Sequence, residues 1–292
     1  MNKPDFPRPG FRGRLRRFNA PRSRPRYRGP SFNRLIPNLL TMMGLCAGLV
    51  AIRFALEGRF EQAAAFIVAA VVIDGLDGRI ARLLKGTSRF GAEFDSLSDF
   101  LCFGVAPGLI LYLWTLQTAG PVGYIPGIMF AVCMALRLAR FNATSISEPG
   151  ALPEVKPAYA HGFFTGVPAP AGAGLALFPL FSSLAFAEWG LVGLAHAVRH
   201  PVFSAIILLV VAGLLVSTLP SWSFKNFKVP SPMVLPLLLG TGAFIAFLVT
   251  EPWAALTLGG LMYGGMLYFS GRSYARLKRE AEAFQGVEPP AA

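Results

Sequence analysis

Long apolar stretches alternate with short polar segments along most of the chain. Stretches long enough to cross a bilayer as helices, which takes about 20 residues each, begin near Leu35, Phe60, Leu97, Val122, Gly162, Val202, Met233 and Pro252. Pro168, Pro170 and several glycines break the fifth and eighth stretches. The pattern predicts an all-α fold, a polytopic membrane helical bundle with about eight transmembrane helices.

The composition agrees with a membrane protein. Hydrophobic residues make up 54% of the chain and charged residues 14%, and the mean hydropathy is +0.53. No cleavable signal peptide is expected, because the N-terminus carries arginine and proline in place of an apolar core. Cys46, Cys102 and Cys133 are scattered through predicted spans, so we expect them to pack as small apolar side chains without disulfides.

The basic residues predict an orientation. If the N-terminus is cytoplasmic and eight helices cross the membrane, 24 of the 27 Lys and Arg residues fall on the cytoplasmic side. Arg53, Arg59 and Arg199 are the three that fall on the other side. Cytoplasmic segments carry such an excess of positive charge. Both termini are therefore expected in the cytoplasm, and the net charge of +12 requires no acidic partner.

Three regions follow from these patterns. Residues 1–34 hold eleven basic residues and one acid, with many prolines and glycines, and are expected to form a disordered basic cytoplasmic arm. Residues 35–272 form the transmembrane domain, and residues 273–292 a basic and then disordered cytoplasmic tail. Anionic membrane lipids are the expected partner of the arm, since each basic residue near an anionic leaflet contributes roughly 1 kcal/mol. Nucleic acid is not expected, because the arm has no folded motif that would position it.

One polar motif interrupts the apolar pattern between the second and third predicted helices. Four of the five aspartates of the chain lie within it. The motif D-x-x-D-G-x-x-A-R-x8-G-x3-D-x3-D is filled by Asp74, Asp77, Gly78, Ala81, Arg82, Gly91, Asp95 and Asp99. A carboxylate among membrane spans is costly and marks a functional site by default. A solvated helix face is the alternative, but the apolar run 66–73 directly before Asp74 argues against it.

The helical spacing of this motif brings its carboxylates together. The first two aspartates share one face of a helix, and the last two share one face of the next helix. Two antiparallel helices joined by a short turn would place all four at one end of the pair. Carboxylates without nearby His or Cys suit hard cations such as Mg²⁺ or Mn²⁺, and two such ions would clamp the pyrophosphate of a nucleotide. Gly78 leaves room for a ligand at the helix backbone, and Arg82 offers a positive fork to phosphate.

The motif resembles the signature of the CDP-alcohol phosphatidyltransferases, integral membrane enzymes that move a phosphatidyl or phospho-alcohol group from a CDP-linked donor to an acceptor hydroxyl. Segments between about Arg34 and Lys228 are similar to the membrane-type phosphatidylserine synthases of bacteria and archaea. These segments are 37–41 (PNLLT), 103–107 (FGVAP), 137–142 (RLARFN), 166–170 (GVPAP) and 223–225 (SFK). Ser98 and Gly108 depart from relatives that often carry alanine there. The resemblance implies transfer of the phosphatidyl group from CDP-diacylglycerol to the hydroxyl of L-serine, which gives phosphatidylserine and CMP.

The resemblance also implies a role for each matching residue. The metal ligands would be Asp74, Asp77, Asp95 and Asp99, which would hold two Mg²⁺ or Mn²⁺ ions. Asp99 would also act as the general base toward the incoming hydroxyl. The CDP moiety would contact Asn38, Thr41, Gly78, Ala81, Arg82, Ser88 and Gly91. A homodimer is implied, in a bacterial or archaeal type of inner membrane with the active site facing the cytoplasm.

Two arginines and three histidines fall outside the motif. Arg137 and Arg140 lie three residues apart on one predicted helix, near its cytoplasmic boundary. They would hold the serine carboxylate or a lipid phosphate, or else reach the interface as ordinary positive-inside anchors. His161, His196 and His200 are distant from the aspartates in sequence and are expected at the membrane interface.

Three other functions are compatible with parts of the sequence. The nearest is the same chemistry with choline, glycerol 3-phosphate or inositol as the acceptor. A cation-coupled transporter would place its acidic residues near the midplane of broken, repeated helices, whereas these aspartates crowd one membrane end. A membrane-tethered nucleic-acid adaptor would account for the arm and leave the aspartates without a role.

Overall fold

The computed structural model describes residues 32–84, 88–145, 163–217, 220–222 and 233–285, and these are almost entirely helical. The helical elements are α1 (Phe32–Leu56), α2 (Phe60–Leu83), α3 (Arg89–Asp99), a π-helical turn (Phe100–Val105), α4 (Ala106–Trp114), a 3₁₀ segment (Leu116–Tyr124), α5 (Ile125–Ser145), α6 (Ala169–Ala176), α7 (Phe178–Glu188), α8 (Val192–Val198), α9 (Pro201–Val216), α10 (Val234–Thr250) and α11 (Pro252–Gln285). Two short strands, β1 (Phe163–Thr165) and β2 (Pro220–Trp222), pair antiparallel with Phe163 opposite Trp222. The predicted all-α class is confirmed.

Several of these helices are long and apolar enough to cross a membrane. Among the described residues, three qualify singly: Leu35–Leu56, Arg89–Trp114 and Leu116–Ala143. The bent pairs α6–α7 and α8–α9 raise the number to five if each pair forms one span. The helical membrane fold is therefore confirmed, whereas the number of eight transmembrane helices stays a prediction.

Proline and glycine act differently on the two stretches that we expected to be broken. The fifth stretch bends by 50° between α6 and α7, where Pro179 is the second residue of α7. The eighth stretch, by contrast, is one continuous helix, α11. Glycine keeps its backbone N–H and costs a helix only about 1 kcal/mol, whereas proline cannot donate that hydrogen bond. The expected domain boundary at residue 272 falls within α11, and residues 1–31 and 286–292 lie outside the described residues.

Small residues bring α1 and α2 close together. Gly58, with φ of +76°, turns the chain between the two helices, which then pack side by side. Ala51, Ala63 and Ala64 are fully buried in this contact. Such residues let helix backbones approach closely, which is how helices associate in a membrane. The α1–α2 pair forms one wall of the site described below.

Helix α3 completes that wall. Residues 84–88 link α2 to α3, and α3 packs against α1. Ser98 of α3 is buried, and its hydroxyl donates a hydrogen bond to the carbonyl of Thr41 in α1 at 3.5 Å. In the π-helical turn that follows α3, Cys102 is buried and lies against α1. Its Sγ donates a hydrogen bond to the carbonyl of Gly44 at 3.4 Å. The expected burial of this thiol is confirmed.

Candidate active site

Three carboxylates meet where the second half of α2 lies beside the second half of α3. One oxygen from each of Asp74, Asp95 and Asp99 lies within 4.8 Å of the others, and all three side chains are partly buried. Asp74 and Asp99 are close enough to share a hydrogen bond. Like charges this close repel strongly where water is scarce, so the cluster favours a bound cation. A set of ligands made of oxygen alone fits a hard divalent ion.

Asp77 lies one helical turn beyond Asp74 and outside this three-carboxylate cluster. Its side chain is only 4% exposed, and its Oδ2 accepts a hydrogen bond from Thr41 Oγ1 at 2.8 Å. Of the four aspartates predicted as metal ligands, three are thus brought together and the fourth is held against α1. The ligand role of each one, and the role of Asp99 as a base, stay predictions.

A cavity of about 200 Å³ opens beside the carboxylates, between α1, α2 and the first turns of α3. Its lining includes all seven residues predicted to contact CDP, namely Asn38, Thr41, Gly78, Ala81, Arg82, Ser88 and Gly91. Asp77 and Asp95 also line it and connect it to the cluster. The motif and the segment 37–41 therefore converge on one place in the fold, although they belong to different helices. Nucleotide binding in this cavity stays a prediction.

The two glycines of the motif have different effects on this cavity. Ser88 caps α3, and its Oγ accepts a hydrogen bond from the backbone N–H of Gly91 at 3.0 Å. A Cβ at position 91 would lie 2.8 Å from Asn38 Oδ1 and 3.0 Å from Ser88 Oγ, so glycine permits this close approach of α3 to α1. A Cβ at Gly78 would meet nothing within 4 Å. Gly78 therefore leaves open space on the cavity side of α2, as the sequence suggested.

Arg82 is exposed at the rim of the cavity. Its Nε donates a hydrogen bond to the carbonyl of Gly78 at 3.0 Å, which lays the side chain back along its own helix. Because this bond uses Nε, the two terminal nitrogens remain able to bind phosphate oxygens. The phosphate contact of Arg82 stays a prediction.

Arg137 and Arg140 occupy different environments on α5. Arg137 is partly buried within electrostatic range of Asp99, and its Nε donates to the carbonyl of Val167 at 2.5 Å. Arg140 is exposed and donates to the carbonyl of Val216, at the end of α9, at 2.9 Å. The structure thus brings Arg137 within electrostatic range of Asp99 and places Arg140 at the protein surface.

Two further side chains near the site lie outside the motif. Asn142 of α5 donates a hydrogen bond to Ser96 of α3 at 3.0 Å, which ties these helices together beside the aspartates. Tyr263 of α11 lies within electrostatic range of Arg137. Its sequence neighbourhood is apolar and glycine-rich, and a single tyrosine in such a helix carries no signal that would have linked it to the aspartates.

The histidines do not join the site where the structure describes them. His196 and His200 are exposed, and His200 Nδ1 accepts a hydrogen bond from the backbone N–H of Val202 at the start of α9. The neighbouring carbonyl of Arg199 accepts a hydrogen bond from Thr115, which follows α4. These contacts lie at the C-terminal end of α4, whereas the aspartates lie near the other end of the continuous helical stretch that contains α3 and α4. His161 lies outside the described residues.

Comparison with known proteins identifies the family. The family model for CDP-alcohol phosphatidyltransferase matches residues 34–198, which is more than half of the chain, and a second model, CDP-alcohol phosphatidyltransferase 2, matches residues 232–267. The matched segments contain the aspartate motif, the cavity-lining residues and Tyr263. The chain belongs to the CDP-alcohol phosphatidyltransferase family.

Individual relatives carry a more specific name. A CDP-diacylglycerol–serine O-phosphatidyltransferase of Mycobacterium tuberculosis is 49% identical over 150 residues, which are 51% of this chain and 50% of the relative. A Helicobacter pylori protein of the same name is 41% identical over 140 residues, 48% of this chain and 54% of the relative. One from Methanocaldococcus jannaschii is 30% identical over 191 residues, 65% of this chain and 75% of the relative. The chain spans about half the length of the mycobacterial and Helicobacter relatives that it matches.

Proposed function

We propose that the protein transfers the phosphatidyl group of CDP-diacylglycerol to the hydroxyl of L-serine and releases CMP. The observation that carries this proposal is the junction between the carboxylate cluster and the cavity lined by the seven predicted CDP contacts. A nucleotide in the cavity would present its pyrophosphate to the aspartates. The names of the relatives support serine as the acceptor.

The proposed reaction exchanges one phosphorus–oxygen bond for another. The serine hydroxyl oxygen attacks the phosphorus that carries diacylglycerol, and the bond from this phosphorus to the bridging pyrophosphate oxygen breaks. CMP departs with that oxygen and the electron pair of the broken bond. Asp99, as the general base, accepts the hydroxyl proton as the new bond forms, because a serine hydroxyl is a weak nucleophile near pH 7.

Metal binding is part of the same proposal. The residues that would hold two Mg²⁺ or Mn²⁺ ions are Asp74, Asp77, Asp95 and Asp99. Thr41 engages only Oδ2 of Asp77, so Oδ1 can serve as a ligand. Bound cations would offset the negative charge that develops on the pyrophosphate and the departing CMP. The partial burial of the cluster supports this role, since carboxylates that lack a counter-charge are costly there.

The surrounding residues would position the two substrates. Gly78 gives CDP access to the backbone of α2, and Arg82 binds a phosphate from the cavity rim. Arg137, beside Asp99, would hold the serine carboxylate or the lipid phosphate. Arg140 is exposed and bonded to the end of α9, so interfacial anchoring suits it better.

The cellular setting is also a proposal. The bundle would lie in the inner membrane with both termini and the active site on the cytoplasmic side, where serine and nucleotide are available. Arg53 and Arg59, at the α1–α2 turn, lie at the end of α2 opposite the aspartates, as this orientation requires. The basic arm would contact anionic lipids, and the protein would act as a homodimer.

An acceptor panel tests the proposed function. Purified protein in micelles is incubated with CDP-diacylglycerol and Mg²⁺ or Mn²⁺, together with serine, choline, glycerol 3-phosphate or inositol, and CMP release is measured. We expect rapid release with serine alone, loss of turnover in EDTA and recovery when either metal is restored. Release with another acceptor but not with serine would overturn the assigned acceptor. Full turnover in exhaustively chelated buffer would overturn the metal ligands.

A further inference from the structure

A tyrosine hydroxyl is buried beside the active site with no hydrogen-bond partner within the described part of the chain. It belongs to Tyr263 of α11. Buried tyrosine hydroxyls usually find a partner, because a buried polar group without a hydrogen bond destabilises the protein. The hydroxyl is therefore available to a group that is not part of the protein.

Tyr263 lines an apolar cavity of about 310 Å³ between α2, α6, α7, α10 and α11. Its walls include Val71 of α2, Gly174 of α6, Phe244 of α10 and Leu256 of α11. Among the described lining residues, Tyr263 is the one with a polar side chain. A water in this cavity would find few other polar partners, and a stable buried water needs two to four. The ligand that fits is apolar with one hydrogen-bond acceptor.

The apolar cavity begins where the charged site ends. Val71 precedes Asp74 by three residues, which is about 4.5 Å along α2. The carbonyl of Val167, just before α6, accepts the hydrogen bond from Arg137. Arg137 in turn lies within electrostatic range of both Asp99 and Tyr263. Tyr263 therefore stands at the boundary between the charged groups and the apolar cavity.

We propose that this cavity takes one acyl chain of the lipid donor and that Tyr263 donates a hydrogen bond to the ester carbonyl of that chain. The inference rests on the proposed function, which places a diacyl lipid at the aspartates. In such a lipid the ester carbonyls lie between the phosphate and the hydrocarbon chains. An ester carbonyl accepts hydrogen bonds and donates none, which complements an unpaired hydroxyl. Tyr263 is thus a positioning residue for the donor.

The first experiment compares wild type with Tyr263→Phe on two donors. One is CDP-diacylglycerol, and the other is a CDP-linked dialkyl lipid, whose ether-linked chains have no carbonyl. Donor affinity is measured by calorimetry without acceptor, and kcat/KM by CMP release. We expect Tyr263→Phe to lose about 2- to 12-fold in affinity for the diacyl donor, the equivalent of one net hydrogen bond, and nothing for the dialkyl donor.

The matched control is Tyr268→Phe. It makes the same chemical change on the same helix, but its hydroxyl accepts a hydrogen bond from Arg272 at 3.0 Å outside this cavity. Its affinities for both donors should equal those of the wild type. The bond to the ester carbonyl is supported if Tyr263→Phe loses the preference for the diacyl over the dialkyl donor and Tyr268→Phe keeps it.

A second variant tests whether an acyl chain occupies the cavity. A Cβ at Gly174 would meet nothing within 4 Å, so Gly174→Leu fills cavity space without a backbone clash. We expect KM to rise roughly tenfold for a long-chain donor and to stay unchanged for a short-chain donor. Gly213→Leu is the control, because Gly213 lies exposed on α9 and its Cβ also meets nothing within 4 Å.

Two results would overturn the inference. The hydrogen bond is wrong if Tyr263→Phe and wild type bind the diacyl donor equally well, and the acyl site is wrong if Gly174→Leu keeps the wild-type chain-length preference. Failure of the proposed function looks different. In that case the wild type releases no CMP with serine, while donor affinities are still measured in the absence of acceptor.

Discussion

At the residue scale, one hydrogen bond joins α1 to the aspartate motif. Thr41 is buried, and its hydroxyl contacts both Asp77 Oδ2 at 2.8 Å and the carbonyl of Pro37 at 3.1 Å. The single hydroxyl hydrogen favours the charged acceptor, since hydrogen bonds to carboxylates are the stronger kind. Thr41 thus stabilises the buried negative charge of Asp77 and fixes the orientation of the Asp77 side chain beside the cavity.

Replacing this threonine tests that bond. Thr41→Val keeps the shape of the side chain but leaves Asp77 without its donor. Because hydrogen bonds to charged groups contribute about 1.5–3 kcal/mol, we expect donor affinity to fall by roughly tenfold or more. Thr41→Ser keeps the hydroxyl and should stay within a few fold of the wild type. Calorimetry with CDP-diacylglycerol makes the comparison, and equal affinities for Thr41→Val and wild type would show that the bond has no part in binding.

Residue spacing explains why part of the site was predictable. Asp74 and Asp77 follow the helical repeat, as do Asp95 and Asp99, so local periodicity was enough to predict a carboxylate site at one end of α2 and α3. The repeat does not say which aspartate meets a partner on another helix. Asp77 bonds to Thr41, which lies 36 residues earlier in the chain, and this contact depends on how α1 packs.

At the element scale, the packing of α1 depends on residues without bulky side chains. Gly48 lies directly against Cys102 of the π-helical turn, and a Cβ there would lie closer to Cys102 Sγ than van der Waals contact allows. The Cβ of Cys102 would also be only 3.3 Å away. Cys102 is only 1% exposed, so neighbouring side chains enclose it. The close approach of α1 to the π-helical turn therefore requires glycine at position 48.

Gly48→Ala should therefore destabilise the protein. Overpacking a tight contact typically costs about 1–3 kcal/mol, which outweighs the intrinsic helical preference of alanine over glycine. We expect a lower Tm in detergent for Gly48→Ala and partial recovery when Cys102→Ala is added, because the second change removes the sulfur. Gly213→Ala, at an exposed position with open space, should leave Tm near that of the wild type. A double variant no more stable than Gly48→Ala would contradict the assigned contact.

Element boundaries were harder to predict than element types. The apolar stretches predicted helices at α2 and α11, which begin at Phe60 and Pro252 as expected. The third helix begins at Arg89, earlier than the apolar residue Leu97, because the polar motif itself is helical. Hydropathy alone does not report this polar part of the helix, whereas the spacing of Asp95 and Asp99 predicted that they share a helix face. Ser88, which caps α3, was the local signal for the true start.

At the scale of the whole molecule, the described helices form an apolar bundle that carries the carboxylate cluster toward one end and an Arg–Glu ion pair toward the other. Arg137 lies within electrostatic range of Asp99 in the cluster, while Arg53 pairs with Glu57 at 2.8 Å near the opposite end of α2. Composition was enough to predict a helical membrane protein. It was not enough to count spans, because a bent pair such as α8–α9, at 54°, serves either as one span or as two half-spans. The position of Tyr263 near Arg137 could not be predicted from the sequence either, because it depends on how α11 packs.

The central claim is that one carboxylate cluster both holds the donor and activates the acceptor, with Asp99 as the base. The most direct test measures donor affinity by calorimetry and CMP release with serine for Asp99→Asn, Asp74→Asn and Asp77→Asn. We predict that Asp99→Asn retains much of the affinity for CDP-diacylglycerol but loses about 10²–10⁴-fold in turnover, the usual contribution of a general base. Asp74→Asn and Asp77→Asn should lose both. Near-normal turnover in Asp99→Asn would contradict the account.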